Sequence, residues 1–436
     1  MPKSSQGKDF EANSSGAGNE GKLLLFDLFF TGHHPGYILH LVKYWREQKL
    51  PGSLDVLVTP KFIQLHPDVV STALDGGESN INFLTISSEE EAVLKSEESS
   101  VDRLVRAFQE WHLLHKYTRQ LEATQVLLMY FDSILLSLAF RGRFPCPLYG
   151  IYFRPIFHYK EFAGFTPSRH ERFLQVRDKF ALSRVLRNPS FQTLFCLDPF
   201  AVEHINKSES KAAAVYLPDP VQIYNDSEFQ LEELRKSLGI QADRQAFLFF
   251  GVLNKRKGIH QLLEAITLLP PPLCEKLCLL LIGPLDFNEQ EIVQARLAEI
   301  SQFLPVQIIC RHKFVTDREI QPYFQIADVV LAPYQHHIGM SAILVRAAAA
   351  QKPVLSSDYG LMGEITRRYG LGLAVDSTLP SEIAEGFKRF LLEAPARLCD
   401  KVSMERFADQ NKAEKFAQII FQKLEDSSSI VANDKY

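Results

Sequence analysis

The residues best suited to chemistry sit in glycine-bearing loops that follow apolar runs. The loop Gly251-Val252-Leu253-Asn254-Lys255-Arg256-Lys257-Gly258 follows the apolar run 246–250 and opens a helix. Its three cations stand at a helix N-terminus, where backbone donors, the helix dipole and side-chain charge all favour a phosphate. Gly251, Arg256 and Lys257 are therefore expected to contact an anion. The spacing is neither Walker A nor G-x-G-x-x-G, so a nucleoside triphosphatase or a dinucleotide enzyme gains little support. Gly283 opens a second turn of this kind after the run 277–282. Gly339-Met340-Ser341 opens a third, bordered by His336 and His337, and its backbone N–H groups suit a diphosphate. Glu364 follows Gly363 at an expected helix start, where it serves either a ligand or the helix dipole.

The first half holds a different set. In Gly32-His33-His34-Pro35-Gly36, the glycines Gly32 and Gly36 let the backbone approach a ligand closely. His33 and His34 suit acid or base work on a hydroxyl, or are ordinary loop residues. Asp132 follows the run 124–130, as a helix N-cap or a substrate contact. Arg154 and His158 follow the run 148–153 with Tyr152 and Tyr159 alongside, a set that suits a sugar or a phosphate.

These loops need strands and helices to place them. Apolar runs at 23–30, 54–58, 80–86, 124–130, 148–153, 192–196 and 213–217 read as strands. Helical patterns fall between them, from 37 to 48, near Phe62, and over 101–121 and 132–140. Residues 87–98 read as a surface linker or frayed helix. After Pro218-Asp219-Pro220 and a polar stretch to 245, the rhythm repeats with strands near 246–250, 277–282, 306–310, 328–332, 353–356 and 372–375. Such alternation predicts α/β architecture: two Rossmann-like doubly wound domains facing a central cleft. The expected limits are a disordered tail at 1–22, a first domain at 23–217, a second at 218–400, a helix within 401–425 and a polar tail at 426–436.

Composition narrows the partners. The chain has 436 residues and a net charge of −4, so nothing global draws it to nucleic acid and any anion site must be local. Six scattered cysteines lack zinc-ligand spacing and read as free thiols in a reducing compartment. No apolar run is long enough to span a bilayer and no signal peptide is evident, which suggests the cytoplasm. Between Ser168 and Arg187, six Lys or Arg residues and two acids interleave with apolar residues. This basic helix, 168–187, reads as a core-facing stripe with a solvated face, or as a peripheral contact with the cytoplasmic face of a membrane.

Taken in order, several motifs resemble the family-4 retaining glycosyltransferases of GT-B fold. Pro218-Asp219-Pro220-Val221 resembles the linker before their donor domain. Gly251 with Lys257-Gly258 resembles the donor loop, and Leu281-Ile282-Gly283 the second strand and its turn. Residues 323–333, Lys352-Pro353-Val354 and Gly370-Leu371-Gly372 resemble later signatures. Phe407-Ala408 and Phe416 resemble a C-terminal helix that crosses back to the first domain, and the loop from Gly32 to Gly36 resembles the acceptor-side loop. The likeness covers most of 23–424. It implies a nucleotide-sugar donor, a glycan, lipid-linked or small-molecule acceptor, retention of configuration, and neither metal nor cofactor. In this family the leaving phosphate accepts the acceptor's proton.

The departures fall in one place. Laying Gly339 on the family's glycine puts Ile338 and Arg346 where two glutamates, eight residues apart, usually contact sugar and ribose. Arg346 then stands as a candidate phosphate contact. Val252 replaces a usual arginine, whose charge Arg256 can supply. A non-catalytic GT-B module that binds a glycan, nucleotide or partner protein is the main alternative, and an epimerase or phosphorylase on the same fold is a third.

Overall fold

The computed structural model describes residues 21–433, apart from 75–79, 97–98, 163–164, 166, 208–211 and 224–227. The tail expected at 1–22 lies outside the described residues up to position 20, as do residues 434–436. The first half forms β1 (Lys22–Phe26), β2 (Ser53–Val58), β3 (Ile81–Thr85), β4 (Gln125–Leu128), β5 (Leu148–Tyr152), β6 (Phe191–Cys196) and β7 (Ala213–Tyr216). The second half forms β8 (Gln245–Phe250), β9 (Leu277–Ile282), β10 (Gln307–Arg311), β11 (Val329–Ala332), β12 (Val354–Ser357) and β13 (Gly372–Val375). The first sheet has the order β3-β2-β1-β4-β5-β6-β7 and the second β10-β9-β8-β11-β12-β13. Neighbouring strands pair in parallel throughout. Helices cover both faces of each sheet, so central strands such as β9, LCLLLI, are buried at every position. The α/β expectation of two doubly wound domains holds.

Three local readings change and a fourth, left open, is decided. The run 23–30 does not stay in the sheet: β1 ends at Phe26, because Asp27 turns the chain by accepting the Phe29 N–H at 3.0 Å and pairing with His34. The next helix is His34–Glu47, so it starts three residues earlier than expected, with a proline in its first turn. Residues 87–98 contain a helix, Ser88–Val93, closed by a capping box between Ser87 and Glu90. The polar connector after Pro220 contains the helix Glu228–Leu238.

The C-terminal helix is two helices, Lys401–Gln410 and Ala413–Asn433. They break at Asn411, which is fully buried. Its Oδ1 accepts the Asp219 N–H at 3.0 Å and the Tyr216 hydroxyl at 3.3 Å, while its Nδ2 donates to the Phe407 carbonyl at 2.8 Å. A side chain spent on the linker interrupts the helix it belongs to. Beyond the break, Phe416, Ile420 and Leu424 pack with Tyr37, Leu41 and Trp45 on one face of the first sheet. The core on one face of the second sheet also takes in Ile156, Tyr159, Phe162 and Phe165 from the first half. The halves are thus joined both at the linker and across the cleft.

Asn411→Ala strips a buried N–H and a hydroxyl of their acceptor. It should lower unfolding free energy by about 1–3 kcal/mol in urea titrations, and a change under about 0.5 kcal/mol would contradict this role.

Candidate functional site

In open parallel sheets the crevice lies beyond the carboxyl ends of the strands, where strand order reverses. The first sheet reverses between β1 and β4, the second between β8 and β11. The loops that leave these four strands carry most of the residues singled out above.

On the second sheet, three loops press backbone against backbone. Gly251 has φ +98°, and a Cβ added there would sit 2.2 Å from Lys257 Nζ. Gly283 has φ +128°, and its Cβ would meet the Gly251 carbonyl oxygen at 2.3 Å. Both positions favour glycine for conformation, and Gly283 needs it for space as well. Lys257 curls back so that Nζ donates to the Phe250 carbonyl at 2.8 Å, and Asn254 caps its N–H at 3.1 Å. The Tyr334 ring lies beneath, 5.3 Å from Lys257 Nζ and 5.8 Å from the Arg256 guanidinium carbon. The Arg256 carbonyl is tied to the Gln335 N–H at 2.8 Å, which fixes the two loops side by side.

The charges of this corner meet at His337. Burial pushes its imidazole down to about 4; a contact with the Met340 carbonyl opposes the shift, and the positive charges of Arg256, Arg154 and Lys257 add to it. Arg154 comes from the other domain. Three cations from both halves of the molecule therefore act on one site.

Asp132 places Arg154. Its carboxylate accepts the Phe153 N–H at 2.8 Å and the Arg154 N–H at 2.9 Å, and so fixes the chain where it leaves β5. Burial raises the Asp132 carboxyl to about 6, against these two bonds and the Arg154 charge. Asp132 was a candidate helix N-cap or substrate contact; both its oxygens instead hold backbone of the chain leaving β5. His34 is corrected in the same way. It is buried, its Nδ1 lies 2.8 Å from Asp27 Oδ2, and its ring stacks on Phe29 and His33. His33 is solvent-exposed, with its ring centroid 4.3 Å from that of Phe153. Crowding by protein atoms, followed by His34 and Arg154, holds its imidazole well below the usual range. Gly32 has the left-handed φ of +69°, but Gly36 lies inside the helix His34–Glu47 and takes no such angle.

The loop at Gly339 touches the first domain. A Cβ on Gly339 would stand 3.7 Å from the Phe153 carbonyl oxygen, and the Tyr159 hydroxyl donates to the Ile338 carbonyl at 2.7 Å. Ser341 is the N-cap of the helix Ala342–Ala349, and its side chain caps none of that helix's N–H groups. Two donor-site expectations move elsewhere. Arg346 is buried at the linker, its Nη1 3.5 Å from the Gln222 carbonyl oxygen and its charge acting on Asp219. Glu364 stands in the second turn of the helix Gly360–Arg368 and pairs with Arg367 at 3.3 Å and Arg368 at 2.6 Å.

Gly251, Gly283, Arg256, Lys257, Arg154, His33 and Gly339 thus gather about the cleft, whereas Arg346 and Glu364 are spent on structure. Tyr334, which underlies both cations, was not singled out from the sequence; its place directly after β11 and Pro333 was the available signal. Next to the cation corner, a cavity of about 790 Å³ opens between Phe165, Ser168 and Glu171 on one side and His336, Asp358 and Asp376 on the other. The Tyr359 hydroxyl crosses to Glu171 Oε1 at 3.2 Å. Among the described residues, no group of three or more His, Cys, Asp or Glu is arranged to hold a metal ion.

Comparison with known proteins places these loops in context. Residues 230–405 match the family model "Glycosyl transferases group 1". An uncharacterized glycosyltransferase of Methanocaldococcus jannaschii is 28% identical over 165 residues, 36% of this chain and 38% of that protein. The putative teichuronic acid biosynthesis glycosyltransferase TuaC of Bacillus subtilis is 26% identical over 166 residues, 37% and 38% of the two chains. Each alignment therefore spans little more than a third of the curated relative. Among solved structures, sucrose-phosphate synthase from Thermosynechococcus elongatus superposes with a TM-score of 0.64 at 14% identity, covering 94% of this chain and 100% of that one. HepE of Anabaena in complex with UDP and glucose gives 0.58 at 16%, covering 93% and 100%. These likenesses establish a GT-B fold.

His337 should titrate near pH 4 by NMR and remain neutral at pH 6–7. Its folded value lies below the ordinary 6.5, so its own contribution disfavours the folded state as pH falls from about 6.5 toward 4. A midpoint near 6.5 would show that the His337 ring is not buried as described.

Proposed function

We propose that this protein is a glycosyltransferase that binds a nucleoside-diphosphate sugar across the interdomain cleft and passes the sugar to a hydroxyl of a glycan, lipid-linked or small-molecule acceptor, with retention of configuration. One arrangement carries the reading: Arg256 and Lys257 stand over the Tyr334 ring, and the Gly339 loop that follows it meets the Phe153 carbonyl beside Arg154 of the other domain. A diphosphate is the ligand whose charge matches three cations beside a helix N-terminus and two positive-φ glycine turns. The match to glycosyl transferases group 1 over the second domain and the UDP held by HepE support the same ligand class.

The chemistry follows from the charge. As the bond from the sugar's anomeric carbon to the leaving phosphate oxygen breaks, negative charge grows on the diphosphate. Arg154, Arg256 and Lys257 stabilise that charge more than they stabilise the bound donor, which lowers the barrier. In this reading they supply the counter-charge without a metal ion. The acceptor oxygen bonds to the anomeric carbon on the face the phosphate leaves, and its proton passes to the departing phosphate oxygen. His33 hydrogen-bonds the acceptor hydroxyl and orients it. Lys257 first has to exchange its bond to the Phe250 carbonyl for one to phosphate.

A second reading, a nucleotide-binding module without turnover, draws on a specific feature. Ile338 and Arg346 supply no carboxylate to the sugar or ribose, and Arg346 is committed to the linker. Donor binding with no release of free nucleotide across an acceptor panel would favour it.

Arg154→Ala and Lys257→Ala should each weaken binding of UDP or a UDP-sugar by at least about tenfold in calorimetry, the loss of one charge-assisted contact. Unchanged affinity in Arg154→Ala would remove the first domain from the donor site.

A further inference from the structure

The helix Arg169–Leu186 presents an outer surface made only of basic and apolar side chains. Its inner face is conventional: Ala181, Leu182, Val185 and Leu186 are buried in the first-domain core. Its outer face carries Phe173, Val176 and Phe180, which are 65%, 70% and 56% exposed. Spaced three and four apart, they form one stripe along the helix. Every other exposed side chain on this helix is Arg, Lys or His. The two acids are turned in: Glu171 closes the capping box with Ser168 and meets Tyr359, and Asp178 pairs with Arg177 at 2.7 Å.

The patch continues onto the adjoining segment. Phe140, 61% exposed, is followed by exposed Arg141 and Arg143. Arg184 of the helix donates to the Ala139 carbonyl at 2.8 Å and sits 5.7 Å from the Phe140 ring, which joins the two pieces. Singly exposed apolar residues are ordinary, but three phenylalanines and a valine in one basic field are not. The chain as a whole is acidic, with a net charge of −4, so this one-signed face is a local feature.

We propose that this face docks the protein onto an anionic lipid bilayer. Phenylalanine rings would enter the headgroup boundary while the arginines and Lys179 meet lipid phosphates and carboxylates. Charge complementarity singles out this partner: the patch offers cations and apolar rings with no exposed acid on the helix that would be repelled. Among the described residues, no helix is long and apolar enough to cross a membrane, so the contact is peripheral. The helix's N-terminal end, at Ser168 and Glu171, also lines the 790 Å³ cavity beside the cleft. Docking would therefore hold the mouth of the cleft at the headgroup layer; if the transferase reading holds, that favours a lipid-linked acceptor.

Vesicle co-sedimentation of the full chain tests this without nucleotide, so it stands or falls apart from the transferase reading. Vesicles of phosphatidylcholine with roughly one-third phosphatidylglycerol should retain the protein, pure phosphatidylcholine should not, and 0.5 M salt should release it. Phe173→Ser with Phe180→Ser, and separately Arg172→Glu with Lys179→Glu, should each cut partitioning at least about tenfold with unchanged far-UV circular dichroism and Tm. Equal retention on neutral vesicles, no retention on anionic ones, or retention unaffected by both variants overturns the proposal. So does a concentration-dependent dimer in sedimentation velocity that the same variants dissociate, since the face would then be covered by a second copy.

Discussion

The geometry of the cleft depends on one buried amide. Asn411 holds the linker N–H of Asp219 and the hydroxyl of Tyr216, and in doing so breaks the C-terminal helix in two. Asp219 in turn accepts the hydroxyl of Tyr37, on the helix that begins beside His33. Arg346 reaches the same linker through Gln222. Elements from both domains and the C-terminal segment therefore meet at a single polar node inside the hinge. Burial raises the Asp219 carboxyl to about 6, although the Tyr37 bond and the Arg346 charge pull it down. A carboxyl raised in this way favours the folded state most when protonated, so raising pH through that value weakens the node.

With the hinge fixed, short contacts close the cleft. Tyr159 donates to the Ile338 carbonyl, and Tyr359 reaches Glu171. The Gly339 loop also meets the Phe153 carbonyl, next to Arg154, across the cleft. The energetic logic is preorganisation: like charges are held together before a ligand arrives, and an anion that enters relieves their repulsion. The His337 imidazole is depressed by burial first, and these positive charges add to the shift. Arg346 also takes on a meaning here. An arginine stands where the family resemblance led us to expect a glutamate, and it serves the joint between the domains.

The sequence made the strands legible because both sheets are parallel and doubly covered, so each strand reads as an apolar run. It also located the glycine turns, since positive φ at Gly251 and Gly283, and backbone contact at Gly283, favour glycine there. It failed where a polar side chain acts at long range. Asp27 looks like one polar residue inside an apolar strand, yet it ends that strand and captures His34. Asn411 looks like a helix residue, yet its partners lie 192 and 195 positions away. Asp132 and Glu364 each stood between a ligand role and a helix-end role, because their actual partners, two backbone N–H groups and two arginines, become visible only in three dimensions. The gathering of Arg154 with Arg256 and Lys257 joins residues about a hundred positions apart, and no local pattern encodes it.

The most direct test of the central claim is a crystal structure of the protein with a bound nucleoside diphosphate. The account predicts diphosphate density between the domains, with Arg154 and at least one of Arg256 and Lys257 within about 3.2 Å of phosphate oxygens, and with Lys257 Nζ released from the Phe250 carbonyl. A nucleotide bound outside the cleft, or one held by the second domain alone with Arg154 turned away, would contradict it.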